Sequence, residues 1–163
     1  AKRIGYEPAD EAYALGLFHN CGIPLMLKRF PEYMNVLEEA YAGAGDECRI
    51  VDTENRLLNT NHAVVGYYTA RSWRLSEDIC EAIANHHNVQ AVFSGPAEEK
   101  PHLRTLLAIL KASEHLCSCC RVLGNQAEDF EWQGIQTQVL EQLRFSEYDF
   151  EIFRESVREL GIG

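Results

Sequence analysis

The sequence predicts an all-α domain, an irregular multi-helix bundle gathered around one long helix. Apolar residues recur at three- and four-residue steps through most of the chain. Prolines, glycines and capping residues punctuate those runs at helix-like intervals. No segment shows the strict alternation of a half-buried strand, and no repeat or low-complexity tract breaks the pattern.

The elements follow in order. Pro8 suits the first turn of an opening helix, with Asp10 and Glu11 at its positive end. Ala12, Leu15, Gly16, Phe18 and His19 form its inward face. The stretch Leu15–Ile23 organises the rest: His19 and Asn20 occupy the last turn, and Gly22 stops the helix because glycine accepts left-handed backbone at no steric cost. A short helix follows from Ile23, with Pro24 in its first turn. Pro31 opens another, with Tyr33, Val36, Leu37, Ala40 and Tyr41 on one face, ended by Gly43 and Gly45. The mixed segment Asp46–Leu58 reads as helical.

Asn61 is a good N-cap for a helix carrying His62, Val65, Gly66, Thr69, Ala70 and Trp73. Gly66 and Ala70, one turn apart, let another backbone approach closely. Ser76 caps the next helix, with Glu77 and Asp78 in its first turn and Ile79, Ala82, Ile83 and His86 facing inward. His86–His87–Asn88 ends it. Val89–Lys100, with Ser94, Gly95 and Pro96, reads as a loop. The long helix runs from Pro101 to about Leu123, carries Leu103, Leu106, Leu107, Leu110, Ser113 and Glu114, and stops at Gly124. A polar turn over Asn125–Asp129 leads to helices near Gly134–Leu143 and Ser146–Leu160, the last opened by a cap from Ser146 and Asp149.

A chain of 163 residues with 46% hydrophobic content is long enough for one domain with a sizeable core. The net charge of −10 repels a phosphate backbone, so nucleic-acid binding through a basic face is not expected. No apolar run is long enough to span a bilayer, and no signal-peptide pattern opens the chain. Six cysteines, Cys21, Cys48, Cys80, Cys117, Cys119 and Cys120, read as reduced thiols of a cytoplasmic protein. Cys117 and Cys120 form a lone C-x-x-C on an apolar helix, which suits packing better than zinc. A thiol sensor built on Cys117, Cys119 and Cys120 ranks last, with only Lys111 and Arg121 nearby to depress a thiol.

Chemistry, if present, rests on histidines. His102 opens a helix and is expected to be exposed, and His115 lies off the apolar stripe. His19, His62, His86 and His87 each sit at a helix end or first turn, where side chains from several helices converge. Inward histidines from separate helices are how a bundle builds a metal site.

Phe18–His19–Asn20–Cys21–Gly22 resembles the His-Asp-Ile-Gly signature of the HD superfamily of metal-dependent phosphohydrolases. Asn61–Gly66, Trp73–Ile79 and Ala82–His87 follow in an order similar to one subgroup, the HDOD (HD-related output domain) family of bacterial signalling proteins. The resemblance spans roughly 12–123, with C-terminal helices over 124–163. The whole chain, 1–163, is expected to be a single domain short of the N-terminal helices that family members carry.

The departures from the enzymatic pattern are specific. Where HD enzymes hold one or two metals with histidines and carboxylates, Asn20 replaces the signature aspartate and Ser113 stands at a later aspartate position. Ile23 replaces a lysine. Glu114 adjoins Ser113 but lies about 100° around the helix. A dication is thus expected to meet only neutral imidazoles.

The resemblance and its departures imply a non-catalytic signal-transduction output or interaction domain. Its vestigial pocket comprises His19, Asn20, His62, His86, His87 and Ser113. No catalytic residue and no cofactor is expected. A protein partner in a signalling pathway is, with a small-molecule or nucleotide ligand and a homodimer as further candidates; Tyr67, Tyr68, Trp132 and Tyr148 are candidate surface aromatics. The alternative is a metal-dependent phosphohydrolase acting on nucleotides or cyclic dinucleotides, with a divalent metal on His19, His62, His86 and His87.

Overall fold

The computed structural model describes residues 9–44, 48–96, 99–159 and 161. The expectations for Pro8, Gly45, Asp46 and Leu160 lie outside these residues. Eleven helices and no strand occur among the described residues: α1 (Ala9–Phe18), α2 (Ile23–Arg29), α3 (Tyr33–Ala42), α4 (Ile50–Leu58), α5 (His62–Ser72), α6 (Glu77–Asn85), α7 (Val89–Ser94), α8 (Pro101–Leu116), α9 (Cys119–Gly124), α10 (Phe130–Leu143) and α11 (Glu147–Glu159). None of these helices is long and apolar enough to cross a membrane.

The longest helix, α8, is the axis. Leu103, Leu106, Leu107 and Leu110 bury one side of it among Leu15 of α1, Ile79 and Ile83 of α6, Phe93 of α7, and Ile135 and Val139 of α10. A second cluster joins α2, α3, α4 and α9 through Met26, Tyr33, Leu37, Ile50 and Cys120. The face expected of α3 is the buried one: Tyr33, Val36, Leu37, Ala40 and Tyr41. Caps fall where the residue types demand them. Asn61 accepts from Val64 N at 2.8 Å, and the Ser146 hydroxyl accepts from Asp149 N at 3.1 Å.

Gly22 departs from its expected role. It is right-handed, at φ −72° and ψ −30°, and His19 and Asn20 lie in the turn between α1 and α2, not in the helix. Glycine is required there by proximity. A Cβ on Gly22 would lie 2.0 Å from the His62 carbonyl oxygen and 2.9 Å from Gly66 N. The α1–α2 corner therefore rests directly on the backbone of α5, and Gly66 reciprocates: its own Cβ would stand 3.5 Å from Gly22 N.

Three further differences concern helix extent. Val89–Ser94 is helical, not loop, with Val89 and Phe93 buried. The carbonyls at its C-terminal end are satisfied by Arg104 of α8, whose guanidinium donates to Val92 O at 3.0 Å, Phe93 O at 3.0 Å and Gly95 O at 3.1 Å. The long helix breaks at Cys117, because Ser118 adopts φ 54°; α9 then turns so that Gly124 meets the Tyr41 ring, where a Cβ would stand 2.3 Å from Tyr41 Cγ. Helix α10 starts at Phe130, four residues before Gly134, because Asp129 accepts from Trp132 N at 3.0 Å.

The two glycines of the opening segment should respond oppositely to alanine. Gly22→Ala forces its Cβ into backbone and should cost on the order of 3 kcal/mol or prevent folding. Gly16→Ala meets nothing within 4 Å on a helix surface, and should stabilise by about 0.5–1 kcal/mol. Denaturant unfolding of the two variants checks both signs.

Candidate functional site

Three histidines meet in the interior. His62 opens α5, and His86 and His87 end α6; their exposures are 1%, 0% and 4%. One ring nitrogen from each lies within 4.8 Å of the others. In each ring Nδ1 is engaged by an acceptor and so carries the proton: His62 on Glu54 Oε2 at 2.7 Å, His86 on Ile83 O at 2.7 Å, His87 on Glu131 Oε1 at 2.7 Å. The Nε2 lone pairs are then turned away from those anchors. Those of His62 and His86 face each other at 3.1 Å, and His87 Nε2 is buried without a partner.

Carboxylates and one ammonium surround the imidazoles. Glu54 is fully buried, takes the Tyr33 hydroxyl on Oε1, and also receives His62 N at 3.4 Å. Lys111 of α8 places Nζ 2.8 Å from Glu114 Oε2 and 2.9 Å from Glu131 Oε2. Glu114 Oε1 lies 3.2 Å from His19 Nε2. His19 Nδ1 donates to Gly16 O at 2.9 Å, and the Asn20 amide nitrogen contacts His19 Nε2 at 2.9 Å, while Asn20 Oδ1 is buried without a partner.

The electrostatics follow from this packing. Burial, then the neighbouring His87 and His62 rings and Lys111, hold His86 well below the usual imidazole range. Burial, then Lys111 and His62, do the same for His87. Burial alone would lower Lys111, but Glu114 and Glu131 outweigh it and keep the ammonium firmly charged. Burial alone would raise Glu114; Lys111 and His19 overcome it and hold that carboxyl well below its ordinary value. For Glu131 burial prevails over Lys111, and the carboxyl is raised.

The HD superfamily pattern implies a metal here, and the donors fit one. Neutral imidazoles whose second nitrogen is anchored by a carboxylate or carbonyl are the usual ligands of a transition-metal dication. Opposed lone pairs and an orphaned Nε2 are what such an ion would satisfy. His62, His86 and His87 would hold it, and its chemistry there would be Lewis acidity toward a bound water or phosphoryl oxygen.

Placement of the sequence candidates is mixed. His62, His86 and His87 come together; His19 is adjacent, its ring centroid 5.6 Å from that of His86. Asn20 touches His19 only. Ser113 is exposed, with its hydroxyl on Ile109 O at 2.7 Å, and Glu114 is the residue of that turn that faces His19. The sequence reading put no anion near the imidazoles; Glu54, Glu114 and Glu131 are there. Nothing in the spacing of Glu54 or Glu131 singled them out, but both sit one or two turns from a motif or cap residue on an inward helix face. His102, expected to be exposed, is part-buried, with Nε2 2.6 Å from Glu11 Oε2, and His115 pairs with Asp129 at 2.9 Å.

The thiols offer no second centre. Burial, then Glu114, pushes the Cys119 thiol up to about 12, and burial raises Cys21, Cys80 and Cys120. Among the described residues the histidine trio is the metal-competent group, and no cysteine belongs to it.

A family model of the HDOD domain matches residues 1–89. An uncharacterized protein of Treponema pallidum (strain Nichols) is 30% identical over 96 residues, 59% of this chain but 18% of that protein. The chain therefore spans a small part of that relative. No solved structure matches. The family match holds His19, Glu54, His62, His86 and His87, whereas Lys111, Glu114 and Glu131 lie beyond it.

His86 and His87 tie stability to pH. The unfolded rings take up protons as pH falls through about 6.5, and the buried rings do not. Stability present above about pH 6.5 is therefore lost below it, by up to about 1.4 kcal/mol per pH unit for each ring. Glu131, raised by burial, works in the opposite sense between its unfolded value and its own higher one. The thermal midpoint should drop as pH is lowered from about 7.5 to about 5.5; a flat profile over that range would contradict neutral buried rings at His86 and His87.

Proposed function

This chain belongs to the HDOD domain family, and on that premise we propose that it works as a non-catalytic output or interaction domain in bacterial signalling, with its histidine core serving as a structural hub. The observation that carries this reading is closure of the site. The imidazoles are 0–4% exposed. The cavity against Lys111, Glu114 and Glu131 measures about 10 Å³, and the one reaching His87 and Glu131 about 40 Å³. A nucleotide needs a pocket of roughly 300 Å³ or more. One water fits the first cavity; a phosphodiester does not.

The degeneracy supports the same conclusion. Asn20 offers a neutral carbonyl where the signature carboxylate would supply charge. Glu114 and Glu131, the anions that could replace it, are tied to Lys111. In this reading a metal on the three histidines stabilises the fold and activates no water.

On the outside, Tyr68, Trp73 and Tyr148 are exposed at 64%, 53% and 74%, and they are candidate contacts for a protein partner. Trp132, proposed from sequence as a surface aromatic, is buried against His115 and Phe150. Tyr67 is half-buried, meets Tyr68 edge to face and carries the Arg71 guanidinium over its ring.

The histidine trio itself favours a second reading, a metal-dependent phosphohydrolase. The two are separated by assay. Purified chain supplied with Mn²⁺ or Fe²⁺ should hydrolyse nucleotides and cyclic dinucleotides no faster than His86→Ala. Turnover that disappears in His86→Ala but survives in the exposed-site variant Tyr148→Ala would establish the enzyme instead.

A further inference from the structure

Lys111 is a buried ammonium set between two carboxylates. Its side chain is 2% exposed, and Nζ lies 2.8 Å from Glu114 Oε2, 2.9 Å from Glu131 Oε2 and 3.5 Å from His87 Nδ1. The opposite oxygens of the same carboxylates reach two imidazoles: Glu114 Oε1 to His19 at 3.2 Å, and Glu131 Oε1 to His87 at 2.7 Å. Two carboxylates thus hold one buried positive charge, and an imidazole backs each of them. Oxygen donors backed by imidazole are the inventory of a site for a hard or borderline dication.

We propose that the Lys111 ammonium is the built-in occupant of a second cation position, next to the three-histidine position, and that it keeps a second metal ion out. An ammonium is a compact point charge with several donors, so it takes one oxygen from each carboxylate without fixed coordination geometry. It also limits the positive charge beside the trio to one unit, where a metal ion would add two. The four groups come from three parts of the fold: Lys111 and Glu114 from α8, Glu131 from α10, and His19 from the α1–α2 turn. The cation therefore also holds these elements together. None of this depends on whether the domain turns over a substrate.

Exchanging the ammonium for a metal tests the assignment. Lys111→Met keeps much of the stem volume and removes the charge, leaving two buried carboxylates facing each other. Wild type, Lys111→Met and Lys111→Met/Glu114→Gln are prepared with and without Mn²⁺. Bound manganese per chain and the thermal midpoint are then measured after free ion is removed. Lys111→Met should carry one more Mn²⁺ per chain than wild type, and its midpoint should recover toward wild type only when Mn²⁺ is present. The double variant should lose that extra ion. Equal manganese in Lys111→Met and wild type would overturn the proposal. So would a Lys111→Met chain that stays unfolded in Mn²⁺, since no ion would then replace the ammonium.

Discussion

Charge buried in a helical core must be answered by charge within a few ångströms, and the interior of this protein is arranged around that requirement. Glu54, Glu114 and Glu131 bring three carboxylates into the bundle, and Lys111 brings one ammonium. Removing such groups from water costs several kcal/mol each, and their mutual attraction repays this only when the geometry is good. The answer here is a chain of contacts. Tyr33 and His62 hold Glu54, Lys111 joins Glu114 to Glu131, and His19 and His87 close the two ends. In buried ion pairs generally, apolar residues of similar volume often give equal or greater stability. The polar network therefore contributes placement more than net stability: it sets where α4, α5, α8 and α10 stand relative to one another.

The backbone approach at Gly22 works with that network. Contact between the α1–α2 corner and the His62 carbonyl brings the His19 turn to the start of α5, and so to the entrance of the trio. One missing methyl group thereby positions two of the imidazoles. The same device at Gly124 seats α9 on Tyr41, which lines the small cavity beside Lys111 and Glu114.

Much of the helix order was legible in the sequence, because its signals are local. Asn61 and Ser76 announce helix starts by side-chain chemistry, and Tyr33 to Tyr41 announce a buried face by spacing. What was not legible depends on distant partners. Nothing around Cys117 and Ser118 marks a break, since no glycine or proline stands there; the turn is imposed by packing of α9 on α3. The site divides in the same way. The order of His19, His62, His86 and His87 pointed to one locus, and three of them share it. Glu54, Lys111 and Glu131 carry no signature of their own, and charged residues on helices usually face solvent. Glu114 and Ser113 lie about 100° apart on the helix, and it is Ser113 that faces outward while Glu114 meets His19.

Helix α7 shows what a borrowed terminus entails. Six residues are too few to hold a helix in water, and its last carbonyls are answered by Arg104, a residue ten positions or so further along the chain. The element is thus a product of tertiary assembly and not of local preference. Without that guanidinium those carbonyls would lose their partner, so the end of α7 depends on the first turn of α8, and α7 itself begins at Val89, two residues after His87.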